Sequence, residues 1–172
     1  MYRDTMTIIN YYETLPKKRL AVGVIFLDEQ EHLLVVKPTY RAYWLLPGGV
    51  VEDNESPQQA CRREVQEELQ LQVAIDRLLC VDYLPTENEK SECIQFVFYG
   101  GLLSQKHIQS IVLPADELSA YRFSSYEEAL QLLGTKLAAR LPHCFQALQK
   151  NTVTYLENGQ ATSSMETERY SS

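Results

Sequence analysis

Three glutamates, Glu64, Glu67 and Glu68, have the residue type and spacing best suited to chemistry in this sequence. Positions three and four residues apart fall on one face of an α-helix, so the three carboxylates would share a single stripe. Like charges at this spacing repel, and neither Glu64 nor Glu68 has a lysine placed to compensate. Hard divalent cations with oxygen ligands relieve such repulsion, and Mg²⁺ in particular pairs one or two carboxylates with substrate phosphates. The stripe therefore favours a magnesium site over the alternative, a charged face exposed to solvent.

The helix that must carry this stripe is the best-marked element of the chain, over residues 57–69. Ser56 is a candidate N-cap, Pro57 occupies the first helical position, and Gln59 stands where a capping box needs its partner. A neighbouring apolar stripe at i, i+4 and i+8 comprises Cys61, Val65 and Leu69. This arrangement predicts a helix that docks on a sheet while the glutamates stay at its edge, facing a cleft or solvent.

The flanking sequence predicts a β-sheet around this helix. A proline and two glycines at 47–49 break the chain before the helix and predict a loop. Apolar and β-branched runs predict strands at 20–27, 32–37, 73–84, 92–101 and 152–156, with a weaker strand candidate at 108–113. Apolar residues at three and four spacing predict helices at 125–133 and 135–148. We therefore expect one domain over residues 1–156, with its core at about 18–150, and a mobile polar tail over residues 157–172.

Charge and composition limit the possible partners. The 172 residues include 16 lysines and arginines against 23 aspartates and glutamates, a net charge of −7 that repels phosphate backbones. This excludes a general nucleic-acid coat protein, whereas a small polyphosphate can bind if metal ions supply positive charge. The longest apolar run near the N-terminus, residues 20–27, is too short to span a membrane, and no signal peptide is visible. We expect a cytoplasmic protein whose four cysteines, Cys61, Cys80, Cys93 and Cys144, are buried free thiols.

The stretch from Gly49 to Leu71 resembles the signature of the Nudix hydrolase family. The matching positions, separated by the family's intervals, are Gly49, Glu55, Arg63, Glu64, Val65, Glu67 and Glu68. The stretch departs from the pattern at one position, where Gln70 stands in place of the signature glycine just past the helix. Glycine after a helix end usually adopts positive φ, a conformation that is strained for glutamine. Because Leu71 still supplies the aliphatic residue that follows, we expect Gln70 to keep the left-handed conformation.

The resemblance implies a fold and a set of roles. The fold would be α/β, an α/β/α sandwich with a mixed β-sheet. The implied ligands of Mg²⁺ or Mn²⁺ are the backbone carbonyl of Gly48 and the carboxylates of Glu64, Glu67 and Glu68. Arg63 would orient the glutamates through charge-assisted hydrogen bonds, and Glu55 would hold Arg63 in turn.

The reaction implied is hydrolysis of a phosphoanhydride bond in a nucleoside diphosphate linked to another group, such as a nucleoside triphosphate or a nucleoside diphosphate sugar. Water would be the nucleophile, and metal ions would neutralise the diphosphate and stabilise the leaving oxygen. A member of the glutamate cluster or a loop residue would act as general base. Glu117, in the loop-like segment LPADEL, is a candidate for that role; the other interpretation is an ordinary exposed turn glutamate.

Substrate recognition is less sharply defined by the sequence. Tyr40 and Tyr43 precede the Pro-Gly-Gly loop and are candidates for stacking on a base, whereas core packing is the better interpretation of Trp44. Arg41 and Lys37 would either meet a terminal phosphate or be solvated charges at a strand edge. A function of another class stays open, namely a catalytically silent Nudix domain that binds a nucleotide as a regulatory module. The sequence is compatible with a monomer and with a homodimer.

Overall fold

The computed structural model describes residues 11–162, which form a mixed β-sheet and its covering helices. In chain order the elements are β1 (Arg19–Leu27), β2 (Leu33–Pro38), α1 (Pro57–Leu69), β3 (Arg77–Leu84), β4 (Cys93–Leu102), α2 (Gln105–Gln109), β5 (Leu118–Ser124), α3 (Tyr126–Leu132), α4 (Thr135–Lys150), β6 (Thr154–Glu157) and β7 (Gln160–Ala161).

The sheet has the strand order β5-β2-β1-β4-β3-β6-β7. The pairs β1–β4 and β3–β6 are parallel, and the other neighbours are antiparallel. Successive side chains of a strand point to opposite faces, and β1 accordingly contributes to two separate hydrophobic clusters. One face packs against α1, and its cluster includes Val22, Val24, Phe26, Cys61, Val65 and Leu69. The other packs against α3 and α4, and its cluster includes Ile25, Leu27, Ala129, Leu141, Cys144 and Ala147. This confirms the predicted α/β/α sandwich with a mixed sheet.

The strand predicted at 108–113 is wrong, and the strand that does form in this region, β5, was not predicted. Residues 105–109 form the short helix α2, which Ser104 caps by accepting a hydrogen bond from the amide of His107. Ile108 and Ile111, three residues apart, both pack against the cluster on the α1 side, which is turn-like and not strand-like spacing. β5 pairs with β2 alone at the edge of the sheet, so its local apolar pattern is weak.

The first residues of the predicted polar tail, from Glu157 to Ala161, belong to the last hairpin of the sheet. Glu157 closes β6, and it pairs with Gln160 of β7 in a short hairpin. Leu156 is fully buried, and the amide of Gly159 donates a 3.0 Å hydrogen bond to the buried carboxylate of Asp82, which also pairs with Arg140 of α4. These contacts attach the hairpin to β3. The rest of the predicted tail, residues 163–172, lies outside the described residues, as do residues 1–10.

All four cysteines are buried and free, as predicted. The Cys144 thiol of α4 donates a hydrogen bond to the Cys80 sulfur of β3 at 3.5 Å, and the two cysteines form no disulfide. Within residues 11–162, none of the helices has the length and apolar character needed to cross a membrane.

Candidate functional site

Helix α1 begins as the sequence predicts. The Ser56 hydroxyl accepts a hydrogen bond from the Gln59 amide, the Gln59 side chain accepts one from the Ser56 amide, and Pro57 occupies the first turn. This capping box satisfies two of the free amides at the start of the helix. With the apolar stripe of α1 docked on the sheet, the glutamate stripe faces the loop at residues 47–51.

That loop lies against β1 and reaches the helix through its two glycines. The Val22 amide donates to the Gly49 carbonyl and the Val24 amide to the Pro47 carbonyl, both at 2.8 Å. Gly48 has φ +139°, and a Cβ atom there would lie 2.3 Å from the Val22 carbonyl oxygen. A Cβ atom on Gly49 would lie 2.3 Å from a carboxylate oxygen of Glu64. Position 48 therefore requires glycine, because a side chain there would separate the loop from β1, whereas a side chain at position 49 would displace the Glu64 carboxylate.

Glu68 is the buried carboxylate of the site. It is 6% exposed, and one of its oxygens accepts a 2.8 Å hydrogen bond from the Gly48 amide. Burial, together with the nearby charges of Glu64, Glu117 and Glu67, raises the pKa of Glu68 to about 8 against the opposing effect of the hydrogen bond. Glu67, at 54% exposure, does lie at an open edge as predicted. The same prediction for Glu68 is wrong, because the glycine loop closes over it.

Arg63 connects the glutamates of this site. Its guanidinium forms two parallel hydrogen bonds with Glu55, of 2.9 and 3.0 Å, and donates at 2.9 Å to both Glu64 and Glu67. A fifth bond, 3.0 Å, goes to the Val50 carbonyl and ties Arg63 to the glycine loop. These bonds lower the pKa of Glu55 and raise that of Arg63. The contacts are those predicted for a pair that supports the other glutamates.

The donor set suits a hard divalent cation. Burial raises the pKa of Glu64, as it does that of Glu68, so two carboxylates in poorly solvated positions lie close to Glu67 and Glu117. Arg63 is bound to Glu64 and Glu67, and no three acidic, histidine or cysteine side chains among residues 11–162 already surround a common point. A cation such as Mg²⁺ takes oxygen ligands and would offset the negative charge gathered at Glu68. The oxygen donors present are therefore of the type that a divalent cation binds.

Glu117 lies on a turn close to the helix stripe. Its charge contributes to the raised pKa of both Glu64 and Glu68. The other four glutamates of the site all bind Arg63 or a backbone amide, whereas the Glu117 carboxylate makes no hydrogen bond or ion pair within residues 11–162. The structure thus brings Glu117, predicted only as one of two interpretations, to the same region as the signature residues.

The predicted substrate residues Tyr40, Arg41 and Tyr43 form one cluster on the loop after β2. The Arg41 guanidinium carbon lies 5.4 Å from the centre of the Tyr40 ring and 5.6 Å from that of Tyr43. Tyr40 is 67% exposed, while the Tyr43 ring lies against Gly134 at the start of α4. The contacts with both rings and a hydrogen bond from Arg41 to the Tyr43 hydroxyl preorganise the guanidinium and leave most of its donors available.

Trp44 and Lys37 have structural contacts in this loop. Trp44 packs against the cluster on the α4 side, and its amide donates to the Leu132 carbonyl, in agreement with the predicted core packing. The Lys37 ammonium donates to the Ala42 carbonyl and so closes the loop on itself. Sequence reasoning missed Thr39, which bonds the loop to the Glu117 turn. No local pattern marks this threonine, because its partner lies 77 residues away.

Known proteins share this fold and parts of this sequence. The family model described as NUDIX domain matches residues 17–145. An 8-oxo-dGTP diphosphatase of Proteus vulgaris is 37% identical over 67 residues, which cover 37% of this chain and 59% of that protein. An RNA pyrophosphohydrolase of Hydrogenovibrio crunogenus is 40% identical over 58 residues, which cover 34% of this chain and 35% of that protein. The chain thus spans less than two thirds of either relative. The crystal structure of a UDP-X diphosphatase superposes with a TM-score of 0.67 at 19% identity, covering 90% of this chain and 76% of that one.

Proposed function

This chain belongs to the Nudix family, and on that premise we propose that it hydrolyses a phosphoanhydride bond in a nucleoside diphosphate linked to another group. The reaction would require Mg²⁺ or Mn²⁺ and would act on a nucleoside triphosphate or a nucleoside diphosphate sugar. The named relatives act on 8-oxo-dGTP and on RNA, and a structure of similar fold is a UDP-X diphosphatase. The net charge of −7 favours a small nucleotide over a nucleic acid.

The observation that carries this proposal is the complete network around Arg63. Glu55 holds the guanidinium through two bonds, and the guanidinium in turn contacts Glu64 and Glu67. A domain that only bound nucleotides would have no need for a charged pair that orients carboxylates on a helix edge. The network therefore favours turnover over the regulatory binding module.

The cation would be held by Glu64, Glu67, Glu68 and the carbonyl of Gly48, where it would neutralise the diphosphate and activate the attacking water. Arg63 and Glu55 keep the carboxylates oriented. The carboxylate of Glu117, which has no partner among the described side chains, is the general base that takes the proton of the attacking water as its oxygen bonds to phosphorus. The bond between the attacked phosphorus and the bridging oxygen breaks, and its electron pair stays on that oxygen in the departing phosphate.

The exposed cluster of Tyr40, Arg41 and Tyr43 would contact the substrate beyond the diphosphate. The exposed face of the Tyr40 ring suits stacking on a base, and such stacking does not depend on which base is present. The unused donors of Arg41 suit a further phosphate or another acidic group.

A substrate panel tests the proposal. The panel comprises nucleoside triphosphates, oxidised triphosphates, dinucleoside polyphosphates and diphosphate sugars, each with Mg²⁺ or Mn²⁺ and with identification of the products. Glu64→Gln should abolish product formation, whereas Glu127→Gln, the same charge change on the exposed side of α3, should not. A compound that raises the melting temperature of the wild-type protein without being hydrolysed would instead support the regulatory module.

A further inference from the structure

Thr39 occupies the junction between the two loops that carry the proposed substrate and base residues. It follows β2 directly and precedes Tyr40 and Arg41. Its amide donates a 2.9 Å hydrogen bond to the Glu117 carbonyl. Its hydroxyl donates a bifurcated bond, at 3.1 Å to the Asp116 carbonyl and at 3.3 Å to that of Glu117. One residue therefore holds two consecutive carbonyls of the turn.

The turn that carries Glu117 has only a few other attachments among the described residues. The amides of Glu117 and Leu118 both donate to the Pro114 carbonyl, which closes the turn on itself. On its N-terminal side, the amide of Val112 donates a 3.3 Å bond to the carbonyl of Leu69, the last residue of α1. The next residue, Leu118, is buried and pairs with Pro38 of β2. The turn is thus held at the end of α1, at Leu118 and at Thr39, and the Thr39 hydroxyl is the side-chain group that binds the carbonyls of Asp116 and Glu117.

The loop on the other side of Thr39 is held by contacts of its own. Lys37 and Ala42 close it by a hydrogen bond, and Arg41 stacks on Tyr43, whose ring is pressed against Gly134. Because these contacts hold the loop in place, they also fix the position of the turn that is bonded to Thr39. The hydroxyl of Thr39 is the side-chain group that connects the loop to the Glu117 turn.

We propose that Thr39 is a positioning residue that holds the Glu117 turn against the Tyr40–Arg41 loop. The substrate-contacting side chains of that loop and the Glu117 carboxylate then keep a fixed position relative to each other. This inference rests on the proposed function. It goes beyond that function in assigning a role to a residue outside the signature and to a bond between two loops distant in sequence. Thr39 acts through Glu117 and does not itself touch the reacting atoms.

A double-mutant cycle tests this role by its dependence on Glu117. The substrate is dGTP or UDP-glucose, whichever the wild-type protein hydrolyses faster with Mg²⁺. Thr39→Val keeps the branched shape and removes the hydroxyl, and it should lower kcat at least about fivefold, the worth of one ordinary hydrogen bond. In the Glu117→Gln background the same change should cost less than about twofold, because residues that act through one another are not additive. Thr39→Ser should restore wild-type kcat.

Ser119→Ala is the matched control. The Ser119 hydroxyl donates to the Lys37 carbonyl at the same sheet edge but contacts neither Asp116 nor Glu117, so this variant should keep wild-type kcat. An equal loss for Thr39→Val in both backgrounds, or no rescue by Thr39→Ser, would overturn the proposal.

Hydrogen exchange provides a second measurement that does not need turnover. Thr39→Val should increase exchange in residues 114–118, while Thr39→Ser should leave it unchanged. Unchanged exchange in Thr39→Val would overturn the positioning role, and this measurement decides the case if Glu117→Gln has no measurable turnover. If the wild-type protein hydrolyses neither compound nor any other in the panel, the proposed function fails, and the exchange data still show whether Thr39 holds the turn.

Discussion

Replacing Glu68 by glutamine should stabilise the metal-free protein at neutral and alkaline pH, although it removes a residue of the proposed site. Glu68 is 6% exposed, and burial together with the neighbouring glutamates raises its pKa to about 8. Ionisation of a buried carboxylate without a cation opposes folding. Glutamine does not ionise, and its side-chain oxygen can still accept the hydrogen bond from the Gly48 amide.

The sign and size follow from the two protonation equilibria of Glu68. In the unfolded chain the side chain ionises near pH 4.5, whereas in the folded protein it keeps its proton up to about pH 8. Between these values the folded state binds more protons, so the free energy of unfolding falls as the pH rises, by about 1.4 kcal/mol for each pH unit. The contribution of Glu68 to stability is therefore fully present below pH 4.5, and by pH 7.5 its loss amounts to about 4 kcal/mol.

Urea unfolding in EDTA between pH 5 and pH 8 measures this effect. The difference in unfolding free energy between Glu68→Gln and the wild-type protein should grow by about 3 to 4 kcal/mol across that range. Glu67→Gln removes a charge one residue earlier from an open position and should leave most of the pH dependence in place. Mg²⁺ should stabilise the wild-type protein at pH 8 more than Glu68→Gln, because it binds the folded state. A difference that stays constant from pH 5 to pH 8 would refute the reasoning.

Four further outcomes are expected. Excess EDTA should abolish turnover and added Mg²⁺ or Mn²⁺ should restore it; full activity in EDTA would contradict the proposed metal site. Glu67→Gln should lower kcat about 100-fold or more, since even the loss of a group behind a metal ligand costs 10- to 100-fold, with little change in melting temperature; retained turnover would instead support a binding module. Arg63→Ala should lower both melting temperature and kcat, because Glu55 and Glu64 lose their shared donor; wild-type values of both would make Arg63 a mere surface charge. Gln70→Gly should raise the urea midpoint at unchanged slope, a gain of about 1 kcal/mol, with activity retained and no gain for Gln70→Ala; a lower midpoint would show that the left-handed conformation carries no strain.

Local signals account for the elements that were predicted correctly. The capping box of Ser56 and Gln59 and the apolar stripe of α1 all lie within residues 56–69, and the helix bounds follow from them. The left-handed conformation of Gln70, with φ 56°, also follows from its place just after the helix. The capping bonds and the bond from the Gln70 amide to the Gln66 carbonyl lie within four residues along the chain, where the sequence pattern is informative.

Contacts between distant residues account for what the sequence did not predict. β5 forms because β2 offers an edge to pair with, and it has no strong pattern of its own. In the site, the residue types of the carboxylates were predictable but the burial of Glu68 was not, because Gly48 approaches it from twenty residues away. Thr39 was missed for the same reason. Sequence reasoning thus located the residues of the candidate site better than it predicted their solvent exposure.

Gln70 shows how the fold tolerates a departure from the signature next to the proposed ligands. A left-handed conformation costs a non-glycine residue about 1 to 2 kcal/mol. The residues that follow more than offset this cost, because Leu71 and Ile75 are both buried, and each such side chain contributes about 1.5 to 3 kcal/mol. Gln58 of α1 also donates to the Ile75 carbonyl at 2.8 Å and to Asp76 at 2.9 Å, which returns the loop to the first turn of the helix. The path of the chain after α1 is therefore fixed by Leu71, Ile75 and the Gln58 hydrogen bonds, which lie on the side of α1 away from the glutamate stripe. Strain at Gln70 consequently lowers stability without displacing the carboxylates.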